Sequence, residues 1–114
     1  MIRAGCSADT HCHIHSSDYP LNPSEVLTSA LDSDVSQIIT MGCDPADSGL
    51  AIRYALEHGQ LEGLILRAGV GIYPHQAGDF RPSDIDRLQT LIDTSRRVIA
   101  AVGEVGLDYC YDTV

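Results

Sequence analysis

Short apolar runs and stretches with a helical period alternate along this chain, each closed by a turn or a capping signal. Residues 9–14 read as a short strand, followed by a polar turn through Ser16, Ser17, Asp18, Tyr19 and Pro20. Asn22 then stands where a helix cap belongs, with Pro23 in the first helical position and Glu25 in the third. Val26, Leu27, Ala30 and Leu31 fall on one face of the helix that follows. Gln37 to Met41 predicts a second strand ending at Gly42, after which Asp44-Pro45 repeats the cap-then-proline device. Leu50, Ala51, Tyr54 and Ala55 form the expected buried stripe of the second helix, and Gly59 its stop. A third strand is predicted from Leu64 to Ile72, ending in Tyr73-Pro74-His75. The next helix starts near Pro82 or Ser83, with Ile85, Leu88, Leu91 and Ile92 facing inward. Residues 98–102, Val-Ile-Ala-Ala-Val, predict a fourth strand that delivers Gly103 and Glu104 to its carboxyl end.

This βαβαβαβ order, with strands that lack polar alternation, predicts an α/β fold: a parallel sheet covered by helices. With 114 residues, no linker and no low-complexity tract, the chain reads as one domain over 1–114, well short of the ~250 residues of an eight-unit barrel. The expectation is about half of a TIM-type barrel. A wall that ends after its fourth strand leaves two strand edges unpaired and one apolar face without its opposite wall, so self-association is expected.

Composition narrows the chemistry. A net charge of −9 argues against holding nucleic acid through bulk electrostatics, so any phosphate-bearing substrate must be held locally. All seven basic residues are Arg against 16 carboxylates, a balance in which bound cations would offset local charge. The four cysteines, Cys6, Cys12, Cys43 and Cys110, show no CxxC spacing, and no signal-peptide stretch precedes the domain, so a reduced, cytoplasmic compartment is expected. No segment is long and apolar enough to span a membrane.

Two phrases carry candidate chemistry. In Asp9-Thr10-His11-Cys12-His13 the alternation of strand side chains points His11 and His13 to one face and Cys12 to the other, where it serves as a small buried hydrophobe. In parallel α/β sheets functional groups gather at the carboxyl ends of strands, and Gly42-Cys43-Asp44, Tyr73-Pro74-His75 and Glu104 all follow strands. Across a barrel axis, a cation can be held by His11, His13 and Glu104. His15 is expected at the surface or behind the ligands, His58 at a helix end, and Arg67 either paired with a buried acid or marking a strand start.

Asp9-Thr10-His11-Cys12-His13, then Gly71-Ile72-Tyr73-Pro74-His75, then Gly103-Glu104-Val105-Gly106-Leu107-Asp108-Tyr109 resemble, in this order, the amino-terminal half of TatD-family metal-dependent deoxyribonucleases. The resemblance covers residues 9–112 and implies an amidohydrolase-like barrel that hydrolyses DNA phosphodiester bonds at a site of two divalent ions (Mg, Mn or Zn). By resemblance His11, His13 and Glu104 are metal ligands and Glu104 bridges the ions. Two further histidines and an aspartate from later strands complete that site in the family and have no counterpart here. Tyr73 and His75 are expected to touch substrate, although the family commonly has His where Tyr73 stands. The lead-in from Met1 to Ser7 also departs from the family's first strand. Asp108 and Tyr109 are expected to order the loop that carries Glu104. Two other readings stand beside this one: a non-catalytic half-barrel serving association, and a PHP-like phosphoesterase, which begins with a similar His-x-His.

Overall fold

The computed structural model describes residues 6–107, so the lead-in before Cys6 and the expectations for Asp108, Tyr109 and Cys110 lie outside the described residues. The elements run β1 (Ser7–Cys12), α1 (Pro23–Asp32), β2 (Val35–Met41), α2 (Pro45–His58), β3 (Ile65–Val70), α3 (Pro82–Ser95) and β4 (Ile99–Val102). Short 3-10 segments occupy Pro74–Asp79 and Arg96–Val98.

All strand pairs are parallel and the strands lie in sequence order, β1-β2-β3-β4. A doubly wound sheet reverses its strand order at a switch point, and this one does not. Right-handed crossovers between successive neighbours place every helix on the same face. Burial agrees: Ser36, Ile38 and Thr40 of β2 and Leu66, Ala68 and Val70 of β3 are buried, while Val35, Gln37 and Ile39 on the other face of β2 remain partly open. The fold is therefore half of a TIM-barrel-like wall, with helices outside and the concave face open.

The core lies between that sheet and the helices, with Leu27 from α1, Ala51, Ile52 and Ala55 from α2, and Leu88 from α3. Burying a Leu or Val side chain contributes about 1.5–3 kcal/mol, and Leu66 and Val70 are almost wholly enclosed. The helices start as their caps dictate. The Asn22 side chain accepts the Glu25 N–H at 2.9 Å, and the Asp44 carboxylate accepts the Asp47 N–H at 2.7 Å. Before α3 the direction is reversed: the Arg81 N–H donates to Asp84 Oδ2 at 2.9 Å, ahead of Pro82.

Several element readings shift. β1 begins and ends two residues earlier than expected, because the chain folds over at Ile14, with the Ser16 N–H donating to the His13 carbonyl. β3 and β4 are each shorter than their apolar runs. Leu50, expected inside, is 48% exposed, and Ile52 takes its place, since the inward line of α2 runs through Ser48, Ala51, Ile52 and Ala55. Ile85 is 51% exposed at the margin of the α3 stripe, which is centred on Leu88. Arg67 neither starts β3 nor pairs with an acid among the described residues. It donates to the Leu66 carbonyl and lines a hollow of the open face with Asp9, Gln37 and Ala100.

Candidate metal centre

The carboxyl ends of the four strands form one rim. His11 is in β1 and His13 directly follows it, Cys43 lies two residues past β2, Tyr73 three past β3, and Glu104 two past β4. Backbone hydrogen bonds knit these ends together. The Gly42 N–H donates to the Gly69 carbonyl at 2.9 Å, the Gly103 N–H to Val70 at 2.8 Å, the Glu104 N–H to Gly42 at 3.2 Å, and the Tyr73 N–H to Cys43 at 2.9 Å. Such close approach excludes side chains at two glycines. A Cβ on Gly42 would lie 2.5 Å from the Ser48 Cα, and one on Gly71 would lie 2.5 Å from the Glu104 carbonyl oxygen.

On this rim His11 Nε2 stands 3.3 Å and His13 Nε2 3.2 Å from the same oxygen, Glu104 Oε2. One donor atom from each of the three residues falls within 4.8 Å of the others. Donors bonded at ~2.0–2.1 Å to one tetrahedral ion stand about 3.3 Å apart, so the three fit around a single small cation. His13 Nδ1 lies 2.8 Å from the Met41 carbonyl oxygen. A carbonyl only accepts, so Nδ1 carries the proton and the Nε2 lone pair faces the carboxylate. A metal ion between them would accept from both donors. Glu104 is the most enclosed of the three, and both imidazoles remain open to the concave side.

Cys12 points away from the cluster as strand parity requires; it packs against the core and its Sγ reaches the Ile39 carbonyl at 3.5 Å. Burial pushes its thiol pKa up. Tyr73 and His75 lie on the next stretch of the rim, their rings tilted together at a centroid distance of 4.9 Å, and neither belongs to the three-donor group. His58 ends α2, where its ring packs edge-on against Tyr54. His15 is not at the surface: its side chain is 1% exposed, hydrogen-bonded to Thr40 and set beside Asp47 instead of joining His11 and His13.

One rim residue was placed at a strand end by the sequence but given no role there. Cys43 Sγ lies 3.8 Å from Glu104 Oε2 and 4.0 Å from His13 Nδ1. Burial first, then the carboxylates of Asp47 and Glu104, push this thiol up to about 12, so it stays protonated and able to donate. Its position past the end of β2 marked it as a candidate, and the contact with Glu104 appears only in the fold.

The family model for TatD related DNase matches residues 8–114. Over 104 residues the chain is 28% identical to an uncharacterized metal-dependent hydrolase, YabD, of Bacillus subtilis (strain 168), covering 91% of this chain and 38% of that protein. An uncharacterized metal-dependent hydrolase of Mycoplasma pneumoniae is 30% identical over 109 residues, with 90% of this chain and 38% of that one covered. The crystal structure of a hydrolase TatD family protein from Entamoeba histolytica superposes with a TM-score of 0.80 at 23% identity, over 91% of this chain and 38% of that one, a likeness of fold. The chain thus spans well under half the length of these relatives. With a family match that takes in the His pair, the Tyr73 segment and Glu104, the chain belongs to the TatD related DNase family.

Proposed function

We propose that His11, His13 and Glu104 hold a divalent metal ion and supply the first-half ligands of a hydrolase that cuts DNA phosphodiester bonds. The observation that carries this reading is the convergence of two imidazole Nε2 atoms on one Glu104 oxygen, with the His13 tautomer set by the Met41 carbonyl. Two imidazoles and a carboxylate suit Zn²⁺ or Mn²⁺, and both relatives are named as metal-dependent. When bound, such ions lower the pKa of a coordinated water and stabilise charge on a phosphodiester's oxygens.

The chain's own groups have separable tasks in this scheme. His11 and His13 present neutral nitrogens, and Glu104 brings the negative charge that neutralises a cation on an open rim. By the family resemblance Glu104 would also serve a second ion, whose remaining ligands would come from later strands of the family's barrel. Tyr73 offers a phenol that donates to a phosphate oxygen, and His75 extends the same edge toward a bound strand. Because the chain as a whole carries −9, phosphate contact depends on the metal centre and these donors.

Calorimetric titration with Zn²⁺ or Mn²⁺ tests the centre: His13→Ala and Glu104→Gln are each expected to lower affinity, and unchanged binding in both would sink it. An oligonucleotide assay tests the reaction. The chain extended by a family-like second half is expected to cleave single-stranded DNA until EDTA is added, whereas the 114-residue chain should cleave little or none. Robust EDTA-sensitive cleavage by the shorter chain would show that the catalytic residues are assigned wrongly.

A further inference from the structure

We infer that a buried imidazole, His15, and the partly exposed Asp47 beside it act through the backbone N–H of Cys43 to position Glu104 and His13, an inference that rests on the metal-centre reading above. His11, His13 and His15 form an alternating run, yet the third imidazole is withdrawn from the cluster. Its Nδ1 shares a hydrogen bond with Thr40 Oγ1, itself fully buried, and its Nε2 sits 3.1 Å from Asp47 Oδ1. That second contact is a close polar approach, not a directed hydrogen bond. Both nitrogens face protein groups, so His15 has no donor left for an ion on the rim.

Asp47 is fixed from three sides. Its N–H is held by the Asp44 carboxylate at 2.7 Å, its Oδ1 lies 3.1 Å from His15 Nε2, and its Oδ2 accepts the Cys43 N–H at 2.9 Å. Cys43 is the last of three consecutive residues that touch the centre. The Met41 carbonyl accepts a hydrogen bond from His13 Nδ1, the Gly42 carbonyl accepts the Glu104 N–H, and the Cys43 thiol reaches toward Glu104 Oε2. The Cys43 carbonyl also takes the Tyr73 N–H. A tilt of the peptide entering Cys43 would therefore move an imidazole acceptor and a carboxylate tether together. Productive ligand geometry tolerates only about 0.5 Å of error, and loss of groups that orient ligands typically lowers metal affinity by about 10–100-fold.

Asp47 also stands in a rim that includes Asp44 and Glu104, so an Asp47 carboxylate without its imidazole would face like charge and turn toward solvent, releasing the Cys43 N–H. His15 and Asp47 are thus positioning residues, acting on the ligands without touching the ion.

Cobalt(II) is a suitable probe, since its visible absorption reports ligand geometry as well as occupancy. The wild-type chain is expected to bind Co²⁺ and His13→Ala to lose that binding. His15→Ala and Asp47→Ala should weaken binding by about 10–100-fold and shift the visible band. Asp47→Asn should recover most of the affinity, because its amide oxygen still accepts the Cys43 N–H. Thermal melting of the metal-free variants separates this effect from general destabilisation, which would not depend on an acceptor at position 47. Should Asp47→Ala fail to fold, His15→Ala against Asp47→Asn supplies the same contrast. Wild-type affinity and spectrum in folded His15→Ala, or equal losses in Asp47→Asn and Asp47→Ala, overturn the positioning role while leaving the centre intact. No Co²⁺ binding by wild type, or binding that His13→Ala leaves unchanged, overturns the centre and this role together.

Discussion

β2 and β3 pair without slippage over five successive residues, from Gln37 opposite Ile65 to Met41 opposite Gly69, whereas β1 slips twice against β2 and β4 slips once against β3. Burial follows the same division. The central strands bury one face completely under helices, while five of the six residues of β1 are exposed and β4 leaves Val102 63% exposed. All three candidate ligands nevertheless come from the outer strands. On a flat sheet three inter-strand steps would separate β1 from β4 by roughly 14 Å, yet His13 and Glu104 meet at 3.2 Å. The curl of a barrel wall, together with side chains reaching across its concave face, closes that distance. The centre of the sheet therefore supplies rigidity, and the edges supply donors held in place by hydrogen bonds to the last residue of β2 and the glycine after it.

The largest test of this division is energetic. Leu66→Ala in β3 is expected to cost about 2–5 kcal/mol, while Val102→Ala in β4 should fall within about 0.5 kcal/mol. Urea unfolding of both variants decides it, and similar costs would break the contrast. A smaller effect is expected in assembly. An exposed apolar edge strand favours pairing with a second chain, so size-exclusion chromatography with light scattering should show self-association at micromolar concentration. Val102→Lys should raise the monomer share. A wild type that stays monomeric would remove the edge from the argument.

The smallest effect concerns the place where the helical layer meets β1. Burial, then the neighbouring Cys12 and Tyr19, raise the Tyr54 phenol from its ordinary 10.0 to about 12, and its hydroxyl is enclosed without a hydrogen-bond partner among the described residues. Below pH 10 both folded and unfolded chains keep the proton. Between pH 10 and 12 the unfolded chain ionises first, so stability falls as pH rises through that window. Tyr54→Phe is expected to reduce that fall relative to wild type in denaturation series at pH 8, 10 and 11. Parallel curves for the two proteins would show that Tyr54 does not carry the effect.

Much of the framework was legible because it rests on local rules. Asn22-Pro23 and Asp44-Pro45 announced two helix starts through capping chemistry, and the apolar runs located four strands to within a few residues. The neighbouring readings that failed did so for one reason. Periodicity gives the angle of a residue around its helix, not how far the packing partner extends, and so Leu50 and Ile85 were placed inside and Ile52 was passed over. Arg67 likewise occupies the concave face of a strand whose other face is buried, a distinction that a near-continuous apolar run conceals.

For the candidate site, the chain by itself determined which residues could donate and which way they point: period-two alternation separates His11 and His13 from Cys12, and the strand-end rule singles out Glu104. Only the tertiary structure decided that these donors meet. Their separation depends on strand order, sheet curl and the backbone bonds from Gly42 and Met41, which join parts of the chain that local sequence rules never compare. The same holds for His15, whose place in the His-x-His-x-His run is local but whose burial against Thr40 and Asp47 is set by β2 and α2. Local rules act over a few residues, and a metal centre is a coincidence of positions in space.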